Sequence, residues 1–123
     1  MGHHVVDPDE VEPLPDRPSE TRYISEAVGM ENLGLRLYRV RPGEDIPLTG
    51  LHYHDRQEEA FYVLDGRISV ETPDREYVVD RGEVFVAEPE SPHRAFNGAD
   101  ASGDATVLAV GAPPVSDGHP YEP

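Results

Sequence analysis

Two histidines at i and i+2 and a glutamate five residues on, His52, His54 and Glu59, are the side chains of this sequence best suited to holding a metal ion. On a β-strand, residues i and i+2 face the same side, so His52 and His54 can present two imidazoles to one point in space. Beyond them the alternation sets Glu59, Phe61 and Val63 on one face and Ala60, Tyr62 and Leu64 on the other, which places the carboxylate in a row of apolar core candidates. A carboxylate in such a row needs a partner. Further along, residues 82–97 read as a strand, a turn marked by Pro89 and Pro92, and a second strand opening with His93. Three imidazoles and one carboxylate form a mixed nitrogen and oxygen set that suits Fe, Mn, Ni, Co, Cu or Zn, and the residue types do not choose among these divalent transition metals. The plainer alternative is that a histidine in a strand is a hydrogen-bonded structural group, which for His93 taken alone is the commoner case.

Positioning these residues is a task for short strands. Strand signals recur at 22–24, 33–40, 60–64, 67–71, 76–79, 83–87, 93–97 and 106–110, separated by turn sequences such as Asp65-Gly66, Pro73-Asp74 and Asp80-Arg81-Gly82. In 33–40 the alternation sets Leu35 and Leu37 against Arg36 and Tyr38. No stretch offers three turns of helical periodicity, so the fold class is all-β, a sandwich or barrel. Residues 1–20 hold four prolines and six acids and read as an extended arm, 21–111 as the barrel, and 112–123, with four prolines, as an irregular tail.

The two site segments together resemble the paired motifs of the cupin superfamily. The first runs His-x-His, three or four residues, Glu, six residues, Gly, and is met by His52, His54, Glu59 and Gly66; Glu58 does not meet the spacing. The second runs Gly, five residues, Pro-x-Gly, two residues, His, three residues, Asn, and Gly82, His93 and Asn97 fall at its positions. The 15 residues 67–81 between the motifs fit the compact microbial members, and the resemblance covers roughly residues 35 to 111. Two departures concern the rim. Glu88 and Glu90 stand where the motif has Pro and Gly, so a residue with a Cβ must make a turn that normally uses positive φ, unless Pro89 and Pro92 hold it instead. The glycine expected five residues before His52 is absent, and the loop 44–51 after Gly43 is longer by about three residues than the family pattern, near the mouth of the barrel.

The resemblance implies a single jelly-roll barrel, a metal bound by His52, His54, Glu59 and His93, and a homodimer. By family habit it implies a small metalloenzyme of dioxygenase-like chemistry, less often an isomerase or decarboxylase, acting on a small molecule. A non-catalytic barrel that binds or senses a metabolite is the alternative. Tyr38 or Tyr62 could assist an enzyme, but the sequence offers no clear general base besides the ligands. A sugar-phosphate substrate would want a cationic pocket, for which Arg56, Arg67 or Arg94 are the candidates. The inward apolar row expected to line the cavity is Phe61, Val63, Ile68, Val70, Val84 or Phe85, and Val107. Around it, Glu58 is expected to be a solvated turn residue, Tyr53 to pack outward, Arg94 to pair with acids on the outer face, Asn97 to serve structure, and His3, His4 and His119 to be surface residues.

Composition narrows the partners. Of 123 residues, 37% are hydrophobic, enough for one core, and ten basic residues, all arginine, face 25 acidic ones for a net charge of −15. Such a charge repels nucleic acid and anionic membranes, and the chain carries no helix-turn-helix pattern. The acids are spread along the whole sequence, which suits a surface adapted to high salt. With no cysteine there is neither disulfide nor thiolate site. No apolar run approaches the roughly 20 residues of a membrane span, and the acidic start is unlike a signal peptide, so the expected location is cytoplasmic.

Overall fold

Short alternating segments joined by tight turns leave few ways to bury one apolar face other than rolling the sheet upon itself. A computed structural model, which describes residues 2–122, realises this as a jelly-roll barrel of antiparallel strands. The strands are β1 (Glu20–Tyr23), β2 (Gly34–Val40), β3 (Asp45–Ile46), β4 (His52–His54), β5 (Glu58–Asp65), β6 (Arg67–Glu71), β7 (Glu76–Asp80), β8 (Val84–Ala87), β9 (Arg94–Phe96), β10 (Ala105–Ala112) and β11 (Gly118–Pro120). A five-stranded sheet runs β1-β2-β10-β5-β8, a four-stranded sheet runs β3-β9-β6-β7, and β11 pairs with β4. The long strand β10 is hydrogen-bonded to β2 on one side and β5 on the other, anchoring the first sheet.

Both larger sheets feed one core. Tyr38, Val40, Phe61, Val63, Val107 and Ala109 from the first meet Ile46, Ile68, Val70, Val79 and Ala95 from the second. Among the expected inward residues Phe61, Val63, Ile68, Val70 and Val107 are buried, and the choice between Val84 and Phe85 falls to Phe85, Val84 being exposed. In β2 the two-residue period names the inner row less clearly, because Tyr38 and Val40 enter the core while Leu37 is buried outside it. A strand covered on both faces loses the polar row that tells inside from outside.

Glycine is required at the β5–β6 turn. Gly66 has φ of 75°, and a Cβ there would lie 2.5 Å from the Asp104 carbonyl oxygen, so the turn closes against the approach to β10. This fixes where β5, the strand that carries Glu59 at its other end, stops.

Three expectations at the chain's edges are corrected. Ile24 does not extend the first strand but opens a five-residue helix, α1 (Ile24–Val28), stopped by Gly29 in the left-handed conformation with φ of 71°. The arm 1–20, expected to be extended, contains a helical turn at Pro8–Glu10, and Arg22 Nη1 donates to the carbonyls of Pro8, Asp9 and Val11 at 3.3, 3.1 and 2.7 Å. The tail is not wholly irregular, since β11 lies in it and docks on β4. Among the described residues no helix is long and apolar enough to cross a membrane.

Candidate metal centre

The four sequence-nominated ligands meet. Strand β4 directs His52 and His54 to the same face, and β5 brings in Glu59 from its second position. His93 arrives through a two-way backbone bridge, its N–H donating to the His52 carbonyl at 2.9 Å while the His52 N–H donates to the His93 carbonyl at 3.1 Å. One ligand atom from each of the four residues can be chosen so that all lie within 4.8 Å of one another, and all four side chains are buried.

The orientation of each imidazole is set from behind. His52 Nδ1 faces the Gly50 carbonyl at 3.1 Å, His93 Nδ1 the Ser91 carbonyl at 2.8 Å, and His54 Nδ1 the Asp117 carboxylate at 3.0 Å. A carbonyl or carboxylate oxygen can only accept, so each Nδ1 carries the proton and each neutral ring turns a bare Nε2 toward the centre. His52 Nε2 and His54 Nε2 are buried without a hydrogen-bond partner among the described residues. Glu59 Oε1 stands 2.9 Å from both His54 Nε2 and His93 Nε2, and the His54 contact lacks hydrogen-bond geometry. Lone pairs facing lone pairs in a buried space repel, so this arrangement calls for positive charge at its middle, from a divalent ion or from protons on the rings. The donor set and the orphaned Nε2 atoms fit a divalent transition metal.

Titration follows the same geometry. Burial alone would raise the Glu59 carboxyl, but with no ion bound and protons on the facing nitrogens, His54 and His93 outweigh it and hold it down to about 2. The Glu59 carboxylate 2.9 Å away raises His54 against its burial, with Asp117 adding to the rise. Burial lowers His52, against a smaller upward pull from the Gly50 carbonyl. Two neighbouring imidazoles are thus pushed in opposite directions.

Above the cluster opens a cavity of about 260 Å³, lined among others by Arg17, Tyr23, Arg36, Tyr38, His54 and Glu59. Tyr38 is buried and its hydroxyl is pushed up to about 12, mainly by desolvation, so it remains a neutral O–H. Tyr62, the other tyrosine that could have assisted an enzyme, projects to the outer surface and is no part of the site. None of Arg56, Arg67 and Arg94 lines this cavity: Arg56 is exposed, Arg67 pairs with Asp80 at 2.6 Å, and Arg94 pairs with Glu71 and Asp45 at 2.9 and 2.8 Å.

The surrounding residues fall largely where expected. Glu58 is exposed, although on β5 and not in a turn, and Tyr53 points away from the cluster with its ring 5.3 Å from that of His119. Asn97 is buried and donates to the Val40 and Gly103 carbonyls at 3.0 and 2.9 Å, a structural role. His119 is not a ligand; it contacts Asp55 at 2.7 Å, yet it sits opposite Tyr53 on the strand that braces β4. The turn ahead of His93 is made by Glu90 itself at φ of 67°, with its N–H donating to the His54 carbonyl at 2.6 Å.

Asp117 and Arg36 are the residues at the site that sequence reasoning missed. Asp117 Oδ2 also accepts from the backbone N–H groups of Arg56 and Gln57 at 2.7 and 3.2 Å, so one tail carboxylate holds both a candidate ligand and the loop leading to Glu59. No local signal in a proline-rich tail announces this. Arg36 had one, its place two residues before Tyr38 on the row that enters the barrel.

Residues 36–111 match the family model described as Cupin domain. No curated protein matches the chain. Solved structures do. The polyketide cyclase RemF of Streptomyces resistomycificus superposes with a TM-score of 0.74 at 24% identity, over 94% of this chain and 85% of that one. A predicted oxalate decarboxylase of Thermotoga maritima gives 0.72 at 22% identity, over 89% and 98%. A longer protein of Acidithiobacillus ferrooxidans gives 0.67 at 22% identity over 76% of this chain, which spans 58% of that relative. Such identities carry the fold and not the activity. With the family model covering more than half of the sequence and the barrel closed around His52, His54, Glu59 and His93, the chain belongs to the cupin family.

Proposed function

We propose that this protein is a small metalloenzyme of dioxygenase-like chemistry, working in the cytoplasm on a small molecule, with a divalent transition metal held by His52, His54, Glu59 and His93. The observation that carries the reading is the buried, unpartnered Nε2 of His52 beside two further Nε2 atoms whose rings are tied back through Nδ1. A bound ion of this kind would supply a Lewis acid and, if redox-active, a means of one-electron chemistry. The chain's own residues do the rest. Phe61 and Phe85, each with its ring 6.2 Å from that of His93, make one side of the site apolar and keep water from it. Tyr38 offers a neutral hydroxyl to whatever enters the cavity.

The test begins with metal analysis of protein purified without chelator, for the unaltered chain and for His52→Ala. Oxygen uptake against catechols, diketones and thiols follows. Stoichiometric metal lost in the variant, together with uptake that requires His52, supports the enzyme; metal-free protein from metal-rich medium refutes the centre. A non-catalytic binding module is favoured by one observation. The only carboxylates lining the cavity, Glu59 and Asp117, are both engaged, which leaves no free general base there among the described residues. A tight ligand without turnover would decide for that reading.

A homodimer belongs to the same proposal. On the outer face of β5 and β8, Tyr62, Leu64, Val84 and Val86 are 42%, 42%, 54% and 58% exposed, and Tyr62 pairs with Val84 across the strands. On a chain of charge −15, self-association requires a face free of like charge, and β8 is also a sheet edge. Sedimentation should give a dimer for the unaltered protein and a monomer for Val86→Glu; a monomer for both removes the proposal.

A further inference from the structure

Among the described residues six of the ten arginines contact no carboxylate, and five of these, Arg17, Arg41, Arg56, Arg75 and Arg81, are exposed to water; Arg36 is the one that is not. Arg22, Arg39, Arg67 and Arg94 each contact at least one carboxylate at 3.0 Å or less. Arg36, half-buried on the wall of the cavity above the metal cluster, contacts none among the described residues. Its guanidinium lies 4.4 Å over the ring of Tyr23 and makes one side-chain hydrogen bond, donating from Nη1 to the Tyr38 hydroxyl oxygen at 3.4 Å. Stacking uses the flat face of the group and leaves the edge that carries the five N–H donors. Tyr38, which accepts from Arg36, keeps its own hydroxyl hydrogen to donate.

The acids nearby do not use up this donor edge. Glu59 is taken by His54 and His93, and Asp117 by His54 and the N–H groups of Arg56 and Gln57. A second guanidinium, that of Arg17, lies 5.9 Å from the same Tyr23 ring and also lines the cavity, although Arg17 is exposed. The cavity therefore has uncommitted positive charge at its rim and ligand nitrogens at its floor. At about 260 Å³ it falls below the roughly 300 Å³ at which pockets for drug-sized molecules begin.

We propose that Arg36 is the anion anchor of this cavity and that its ligand is a small carboxylic acid, gripped by the Arg36 fork and the Tyr38 hydroxyl while the remainder reaches the His54 and Glu59 side. The proposal deepens the metal-centre reading above and rests on it for the floor of the site. A planar carboxylate matches the guanidinium edge with two parallel hydrogen bonds, which is the geometry arginine serves best.

Calorimetric titration of the full-length protein loaded with Zn²⁺, a redox-silent ion, tests it with pyruvate as the probe, methyl pyruvate as its uncharged ester and inorganic phosphate as the competing anion. Metal content is measured on each sample. Pyruvate should bind the unaltered chain and the ester far more weakly. Arg36→Gln should weaken pyruvate binding roughly tenfold to a hundredfold with Zn²⁺ content unchanged, and Arg36→Lys should recover part of the loss. Equal binding of acid and ester, no effect of Arg36→Gln, no pyruvate binding at millimolar concentration, or phosphate binding tighter than pyruvate each overturns it. The ester comparison is made on the unaltered chain, so it stands even if a variant fails to fold. Failure of the metal reading shows separately as missing Zn²⁺, and the same titration on metal-free protein still reports on Arg36.

Discussion

Replacing Asp117 by asparagine asks whether the C-terminal strand is part of the metal centre. The carboxylate makes three contacts, from Oδ1 to His54 Nδ1 at 3.0 Å and from Oδ2 to the N–H groups of Arg56 and Gln57 at 2.7 and 3.2 Å. An amide of the same shape cannot repeat them. If its NH₂ faces His54, the imidazole must accept at Nδ1, its proton moves to Nε2, and that nitrogen no longer offers a lone pair to the centre. If its NH₂ instead faces Arg56 and Gln57, donors meet donors. Loss of a partner that orients a ligand typically costs 10- to 100-fold in metal affinity, about 1.4 to 2.7 kcal/mol. The cost in fold stability should be smaller, about 1 kcal/mol, because Arg56 is exposed and water can satisfy its amide. Chelator competition with Co²⁺, read by its visible absorption, measures the first quantity, and thermal melting of the metal-free protein measures the second. A Co²⁺ affinity within twofold of the unaltered protein would refute the argument that Asp117 sets the tautomer of His54.

Three further outcomes are expected. In metal-free protein the folded-state depression of Glu59, from 4.5 to about 2, stabilises the fold above pH 4.5 and fades as pH falls toward 2, so the Tm gap between the unaltered chain and Glu59→Gln should close over that window; a gap independent of pH contradicts the pairing. Glu90→Gly should raise stability by about 0.5 to 1 kcal/mol by relieving a left-handed backbone at φ of 67°, and a fall in Tm would show that Glu90 is held there by favourable contacts. Added KCl should raise Tm, because the Debye length shrinks from about 10 Å at 0.1 M to about 3 Å at 1 M and screens a net charge of −15; a flat curve would remove the high-salt reading.

The ligand cluster was legible because it is encoded twice, once in the i, i+2 spacing of His52 and His54 and once in the alternation that puts Glu59 on the row of Phe61 and Val63. Strands β5 to β8 were legible for the same reason, a half-buried face and turn residues at each end. What escaped notice lacks such a code. The three residues of β11 are exposed, so the strand carries no buried row to announce it and joins β4 through its backbone. Ile24 reads as strand because it is β-branched, whereas the chain turns helical for five residues and stops at Gly29. Arg36 was visible on the row of Tyr38, but its lack of a carboxylate partner is a property of three-dimensional neighbours. Glu90 is the converse case: the sequence lacks the glycine this turn calls for, and the backbone takes the left-handed conformation regardless.

The brace that β11 lays across β4 couples two events that are far apart in sequence. Tyr121 donates its N–H to the Leu51 carbonyl at 3.0 Å, one residue before His52, and Asp117 reaches His54 from the same segment. Whatever free energy the docked tail lends to ion capture, ion capture must return to the docked tail in equal measure. Slow deuterium uptake at the Tyr121 amide would then serve as a gauge of occupancy at the centre, read from a residue that never touches it.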